Sequence, residues 1–205
     1  MKTNFLLYGS YGFVGQAIAQ LAIQKGLNPI LAGRDANKVS AQATQLGLEY
    51  CVFDLDDLSA LDHALKEVYV VLHCAGPYIY TSKLMVDGCL RSNTHYLDLT
   101  GEIPVYESLA ARDIEAKAKG VMILPGVGFD VVPTDCLALH LKMRMPSATQ
   151  LSLAFCTEGP AGLPPGTANT TIEMIPYGNK IRKDGHLVKA KSGLKSRMID
   201  FGQGE

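Results

Sequence analysis

The chain is 205 residues long, 47% hydrophobic and 19% charged, with 19 basic and 20 acidic residues and a formal net charge of −1. This is ordinary globular composition, with no global field to draw in nucleic acid or an anionic membrane. Five scattered cysteines (Cys51, Cys74, Cys89, Cys136, Cys156) without C-x-x-C spacing, and five histidines without H-x-x-x-H spacing, argue against a disulfide framework or a metal site and for reduced thiols in the cytoplasm.

Met1-Lys2-Thr3-Asn4 leads straight into a short apolar strand, Thr3–Tyr8, not into a signal peptide's apolar region, and no apolar run is long enough to span a bilayer. A glycine-rich turn follows, Gly9-Ser10-Tyr11-Gly12-Phe13-Val14-Gly15. A helix is expected over Phe13–Lys25, with Val14, Ala17, Ile18, Leu21 and Ala22 on its buried face and Gly26 as its stop. The pattern repeats down the chain. Strand Pro29–Ala32 precedes a helix capped by Asp35 and ending at Leu46; strand Glu49–Phe53 precedes helix Leu58–Glu67. Strand Tyr69–His73 is continuously apolar up to its histidine, as a strand covered on both faces should be, and precedes helix Lys83–Ser92. Strand Tyr96–Leu99 precedes helix Val105–Lys119, and strand Val121–Leu124 precedes helix Thr134–Met143. Alternating strands and helices imply an α/β domain with a doubly wound parallel sheet.

Pro146 marks a change. Leu151–Cys156 reads as a strand, 158–166 is dense in Gly and Pro, Thr167–Ile175 reads as a helix, and Lys183-Asp184-Gly185-His186 as a hairpin turn. The expected division is a cofactor domain over 1–145 and a second, incomplete α+β domain over 146–205. Such a domain would leave Leu151, Leu153 and Phe155 uncovered, so the chain is expected to self-associate through it or to belong to a longer polypeptide.

The chemistry lies at the carboxyl ends of the strands. The spacing G-x-x-G-x-x-G at Gly9, Gly12 and Gly15 suits a pyrophosphate at a helix N-terminus: a tight turn, room for phosphates, and close packing of helix on strand. The backbone of Gly9, Ser10, Tyr11, Gly12, Phe13 and Val14 would form that cradle, although an ordinary strand–helix turn carries similar glycines. About 20 residues on, where an acidic residue would bind the adenosine ribose hydroxyls, the chain has Ala32-Gly33-Arg34-Asp35. Gly33 leaves room and Arg34 offers a planar fork to a 2′-phosphate, which favours NADP(H). Asp35 is either a ribose ligand or a helix cap, with the cap the better role, and Lys38 is either a further phosphate-pocket charge or an exposed helix lysine. Asp54 either meets the adenine amine or shapes a turn. Cys74-Ala75-Gly76-Pro77 supplies small residues beside the nicotinamide ribose, with Cys74 read as an inert thiol. Gly101 lies in the next loop, beside Glu102, a helix-start carboxylate. Tyr78, Tyr80, Asp130 and Asp135 lie where substrate approaches; Tyr78 and Asp130 are the candidate proton donors, and Asp135 suits a helix start.

The segments Gly9–Gly15, Ala32-Gly33-Arg34, Cys74–Tyr78, Tyr96-Leu97-Asp98-Leu99-Thr100-Gly101-Glu102 and Gly128–Asp135 resemble the saccharopine dehydrogenase-like oxidoreductases, in the branch that includes trans-acting enoyl reductases. The resemblance runs in the same order along nearly the whole chain, and Gly166-Thr167 is similar to the start of that family's second domain. It implies a Rossmann domain binding NADP(H), a second domain supplying much of the substrate pocket, and hydride transfer to or from a C=N, C=O or activated C=C bond of a small molecule. Family members run well past 300 residues, longer than this chain. Two rival readings are a non-catalytic NADP(H)-binding sensor or scaffold and an isomerase or epimerase; the absence of a Tyr-x-x-x-Lys pair argues against the last.

Overall fold

The computed structural model describes residues 5–154, 156, 165–191 and 196–202. Thr3, Asn4, Phe155 and most of the Gly/Pro-rich stretch, 157–164, lie outside the described residues. Two compact units are present, Met1–Pro133 and Thr134–Glu205.

In chain order the elements are β1 (Phe5–Tyr8), α1 (Phe13–Gln24), β2 (Ile30–Gly33), α2 (Ala36–Leu46), β3 (Tyr50–Val52), α3 (Leu58–Lys66), β4 (Val70–His73), α4 (Tyr78–Ser92), β5 (His95–Asp98), α5 (Ile103–Ala110), α6 (Asp113–Lys119), β6 (Ile123–Leu124) and α7 (Val132–Arg144). Six strands form one sheet in the order β3-β2-β1-β4-β5-β6, every neighbouring pair parallel. That order is the Rossmann doubly wound sheet, whose connections reverse direction between β1 and β4 and open a crevice there. Alternation along β1 feeds two cores. Leu6 and Tyr8 point into the core built by α3, α4 and α5, and Leu7 into the one built by α1 and α2.

In the first unit three elements depart from the sequence expectation. First, α1 buries Gly15, Ala19 and Ala22, while Val14 and Leu21 are exposed. Small side chains at a helical repeat let the helix axis approach the strand more closely than Val and Leu would allow, so packing distance overrides hydrophobicity in choosing the inward face. Second, α4 begins at Tyr78, five residues before the expected Lys83, because Pro77 serves as its N-cap residue and a carboxylate from another loop satisfies its first amides. Third, the expected helix Val105–Lys119 is broken at Ala111-Arg112 into α5 and α6. Arg112 turns its guanidinium to Asp87 and Glu115 at that break.

In the second unit, α8 (Pro165–Met174) leads through a 3-10 turn (Ile175–Tyr177) to an antiparallel hairpin of β7 (Asn179–Lys183) and β8 (His186–Ala190). Its turn is the expected Asp184-Gly185, with φ of 49° and 81°, the left-handed pair that two-residue hairpins require. Of the expected strand at Leu151–Cys156, the described residues Leu151–Ala154 are not in a strand. An apolar alternation is not sufficient without a partner ladder, since strand preference is mostly the preference of a packed surface.

Candidate cofactor site

The glycine turn is held from three sides, by the ends of β2 and β4 and by a side chain of α2. Gly9 takes φ +82°, a conformation that side chains resist, and its N–H and that of Ser10 both donate to the Ala32 carbonyl, at 2.8 and 3.2 Å. A Cβ at Gly9 would stand 2.9 Å from the Cys74 carbonyl carbon, so the β1 and β4 loops touch at the switch point. A Cβ at Gly15 would collide with the Gly9 carbonyl oxygen. The Gln42 amide donates to the Ser10 carbonyl (2.9 Å) and the Gln16 amide to the Tyr11 carbonyl (2.7 Å). These side chains occupy the loop's carbonyls. Gly12, the N-cap residue of α1, makes no side-chain cap, and the first turn of α1 holds no acidic residue. The first amides of α1 are therefore available to an external anion, supported by the positive end of the helix dipole. The donor set fits a dinucleotide's diphosphate.

At the end of β2, Arg34 is exposed, and its guanidinium pairs with no carboxylate among the described residues. Asp35 resolves in favour of the cap: its carboxylate accepts from the Lys38 N–H at 3.1 Å and pairs with the Lys38 ammonium at 3.4 Å. Those bonds hold its carboxyl below the ordinary aspartate range. Asp54 is exposed and accepts from the Asp56 N–H at 3.4 Å, while the cap of α3 is Asp57.

Cys74, Ala75, Gly76 and Pro77 line the β4–α4 loop, and burial pushes the Cys74 thiol up to about 12, which keeps it protonated. Tyr78 lies in the core beneath that loop. Its ring meets His73 edge-on at 5.5 Å, and burial raises its phenol far above the ordinary tyrosine range. Tyr80 is exposed. Gly101 and Asp130 come together: a Cβ at Gly101 would lie 3.4 Å from an Asp130 carboxylate oxygen, and Asp130 is exposed. Asp135 sits in the first turn of α7.

A buried polar scaffold under these loops was not legible as such in the sequence. Glu102 is fully buried, and its two carboxylate oxygens accept from the Tyr78 and Ile79 N–H groups at 2.8 and 2.7 Å. It caps α4, not the helix that it precedes. Asp98, also buried, accepts from the Tyr96 hydroxyl (2.6 Å) and from the Thr100 and Gly126 amides (3.0 and 2.8 Å). Burial raises its carboxyl above the ordinary range despite those three donors. The one available signal was the i, i+2 spacing of Tyr96 and Asp98, which puts both on one face of a buried strand. Among the described residues no cluster of three or more His, Cys, Asp or Glu could hold a metal, and no helix is long and apolar enough to cross a membrane.

Residues 5–124 match the family model described as the saccharopine dehydrogenase NADP-binding domain. A saccharopine dehydrogenase-like oxidoreductase of Bos taurus is 26% identical over 184 residues, covering 78% of this chain and 42% of its own length. A trans-acting enoyl reductase of Mycobacterium leprae is 33% identical over 150 residues, covering 69% of this chain and 36% of its own. The chain thus spans about two fifths of the curated relatives that it matches. Among solved structures, apo saccharopine dehydrogenase (L-Glu forming) of Saccharomyces cerevisiae superposes with a TM-score of 0.59 at 28% identity, covering 71% of this chain and 31% of that one. With the glycine cradle, the Rossmann strand order and the matched segment in agreement, the chain belongs to the saccharopine dehydrogenase NADP-binding domain family and carries an NADP-binding site.

Proposed function

We propose that this chain is the cofactor-holding part of an NADP(H)-dependent oxidoreductase that transfers hydride to or from a C=N, C=O or activated C=C bond of a small molecule. The observation that carries the reading is the uncapped α1 N-terminus beneath the Gly9–Gly15 loop with the exposed Arg34 guanidinium at the end of β2, which pairs with no carboxylate among the described residues. The first would take the diphosphate and the second the 2′-phosphate. Bound there, the cofactor supplies the hydride, and the protein's work is to orient it and to manage a proton. The small residues Cys74–Pro77 would let the nicotinamide end approach the sheet edge. Of the two residues proposed for proton transfer, Asp130 reaches solvent beside Gly101, whereas Tyr78 is buried and its phenol holds its proton. The enoyl reductase relative supports an activated C=C as the first substrate class to try.

A cofactor domain over 1–145, which keeps α7 in one piece, and a second domain over 146–205 that pairs two copies belong to the same proposal. The five scattered cysteines, without C-x-x-C spacing, support a cytoplasmic setting. A non-catalytic NADP(H) sensor or scaffold is the second reading, favoured by the burial of Tyr78. The test is two-step. Calorimetric titration should show NADPH binding more tightly than NADH; equal affinities would sink the assignment. NADPH consumption is then followed with imine, carbonyl and enoyl substrates, and binding without turnover across all three classes selects the sensor.

A further inference from the structure

Gly33 has an unexpected reason to be glycine. Its φ lies outside the left-handed region, so the backbone makes no demand for the residue. The demand comes from Tyr11. A Cβ at Gly33 would stand 2.5 Å from Cε1 of the Tyr11 ring and 3.3 Å from its Cδ1 and Cζ. The ring therefore occupies the space into which any side chain at the end of β2 would first project. In dinucleotide folds that bind an unphosphorylated ribose, an acidic side chain leaves the strand at about this point to reach the ribose hydroxyls.

Tyr11 is not free to swing aside at no cost. It is half-buried and packs against the core cluster of Leu7, Ala19, Leu31, Val39 and Ala43. Its carbonyl accepts from the Gln16 amide, which fixes the backbone from which the ring projects. The Lys38 ammonium lies 5.7 Å from the ring centroid, at the long end of cation–π contact. Asp35, the nearest acid in sequence, is drawn to the Lys38 amide and ammonium and is thereby committed to the cap.

We infer that Tyr11 is a specificity-determining residue: its ring fills the volume that a ribose-binding carboxylate would need at Gly33, so that the pocket wall carries Arg34 and Lys38 in place of an acid. The lack of a ribose-binding acid is then a steric property of the glycine loop, and the preference for the phosphorylated cofactor an electrostatic property of Arg34. Converting the pocket requires changes at both ends of one contact. The inference rests on the NADP(H) reading above.

The experiment is a double-mutant cycle on the full chain: wild type, Gly33→Asp, Tyr11→Ala and the double variant, each titrated with NADPH and NADH. Gly33→Asp alone should lose NADPH without gaining NADH, because the ring blocks the carboxylate's path. The double variant should bind NADH at least about tenfold more tightly than Gly33→Asp, the worth of a charge-assisted pair. Tyr11→Phe with Gly33→Asp keeps the ring and should behave as Gly33→Asp does. A cofactor-free readout accompanies these: Gly33→Ala should lower Tm in the wild-type background and leave it unchanged in Tyr11→Ala. Gain of NADH by Gly33→Asp alone, or additive effects on both affinity and Tm, overturns the inference while leaving the cofactor assignment intact. A wild-type chain with no affinity for NADPH overturns both.

Discussion

At the residue scale the two informative side chains are one that meets water and one that never does. Arg34 extends exposed from the end of β2 with no carboxylate partner among the described residues, so its removal costs the fold little and the cofactor much. Arg34→Ala should weaken NADPH binding by about 1.5–3 kcal/mol, roughly ten- to a hundredfold, and leave NADH almost unchanged. Calorimetry with both cofactors checks it. His73, at the end of β4, is the opposite case. It is wholly buried among Tyr8, Tyr78 and Tyr96, with Nε2 at 2.9 Å from the Thr81 hydroxyl and no partner for Nδ1 among the described residues. The Thr81 hydroxyl itself donates to the Ala75 carbonyl at 2.9 Å, so Nε2 carries the ring's proton and Nδ1 is bare. Burial pushes the imidazole's pKa from 6.5 down to about 3. Between those values the unfolded chain takes up a proton that the folded chain refuses, so stability falls as pH drops from 6.5 toward 4, by at most about 1.4 kcal/mol per pH unit. The carboxylates of Asp35, Asp62 and Asp87, held below the ordinary range by their partners, begin to lose their own contribution below about pH 5, but they do so equally in a variant that lacks only the imidazole. A His73→Phe variant should therefore show a shallower loss of Tm across pH 6.5 to 4 than wild type. An unchanged slope would mean that the ring is protonated in the folded state.

At the scale of elements, the strand–loop–helix unit from β1 to α1 separates glycines needed for folding from glycines needed for binding. A Cβ at Gly12 would meet only the Gly9 carbonyl oxygen, at 3.2 Å, and its φ of −69° suits any residue. Gly12→Val should stay folded, with a modestly lower Tm, and lose NADPH, because the added methyls stand where the diphosphate approaches. Gly15→Ala should lower Tm, because its Cβ is driven into the loop backbone. Thermal melts and NADPH titration of the two variants distinguish these outcomes. The sequence made this unit legible, since strand, turn and helix follow from local periodicity and glycine spacing. It misjudged which face of α1 turns inward, because periodicity ranks side chains by hydrophobicity whereas a helix lying close on a sheet selects for smallness at Gly15, Ala19 and Ala22. It placed the start of α4 too late for a different reason. The groups that satisfy the first amides of that helix belong to Glu102, more than twenty residues away. No local window contains that information.

At the scale of the molecule, the doubly wound parallel sheet was readable because β-α alternation permits few parallel topologies. The residues beyond Pro146 were harder, since the apolar alternation at 151–156 has no ladder to join among the described residues. If the cofactor domain is the proposed 1–145, that fragment should fold cooperatively and bind NADPH within about threefold of the full chain; circular dichroism with calorimetry tests it, and a fragment that binds only when extended would move the boundary. The placement of Glu102 has a consequence for how the sheet's edge breathes. Its carboxylate ties the loop after β4 to the loop after β5, so opening either one strips two amides of their acceptor within a buried space. The Tyr78 and Ile79 amides should exchange with deuterium slowly, near the rate set by global unfolding, with or without cofactor. The amides that open α1 have no such internal anion. They should exchange fast in the free protein and slow sharply when NADPH arrives, so that of these two helix starts at the crevice one is sealed by the protein itself and the other only by its ligand.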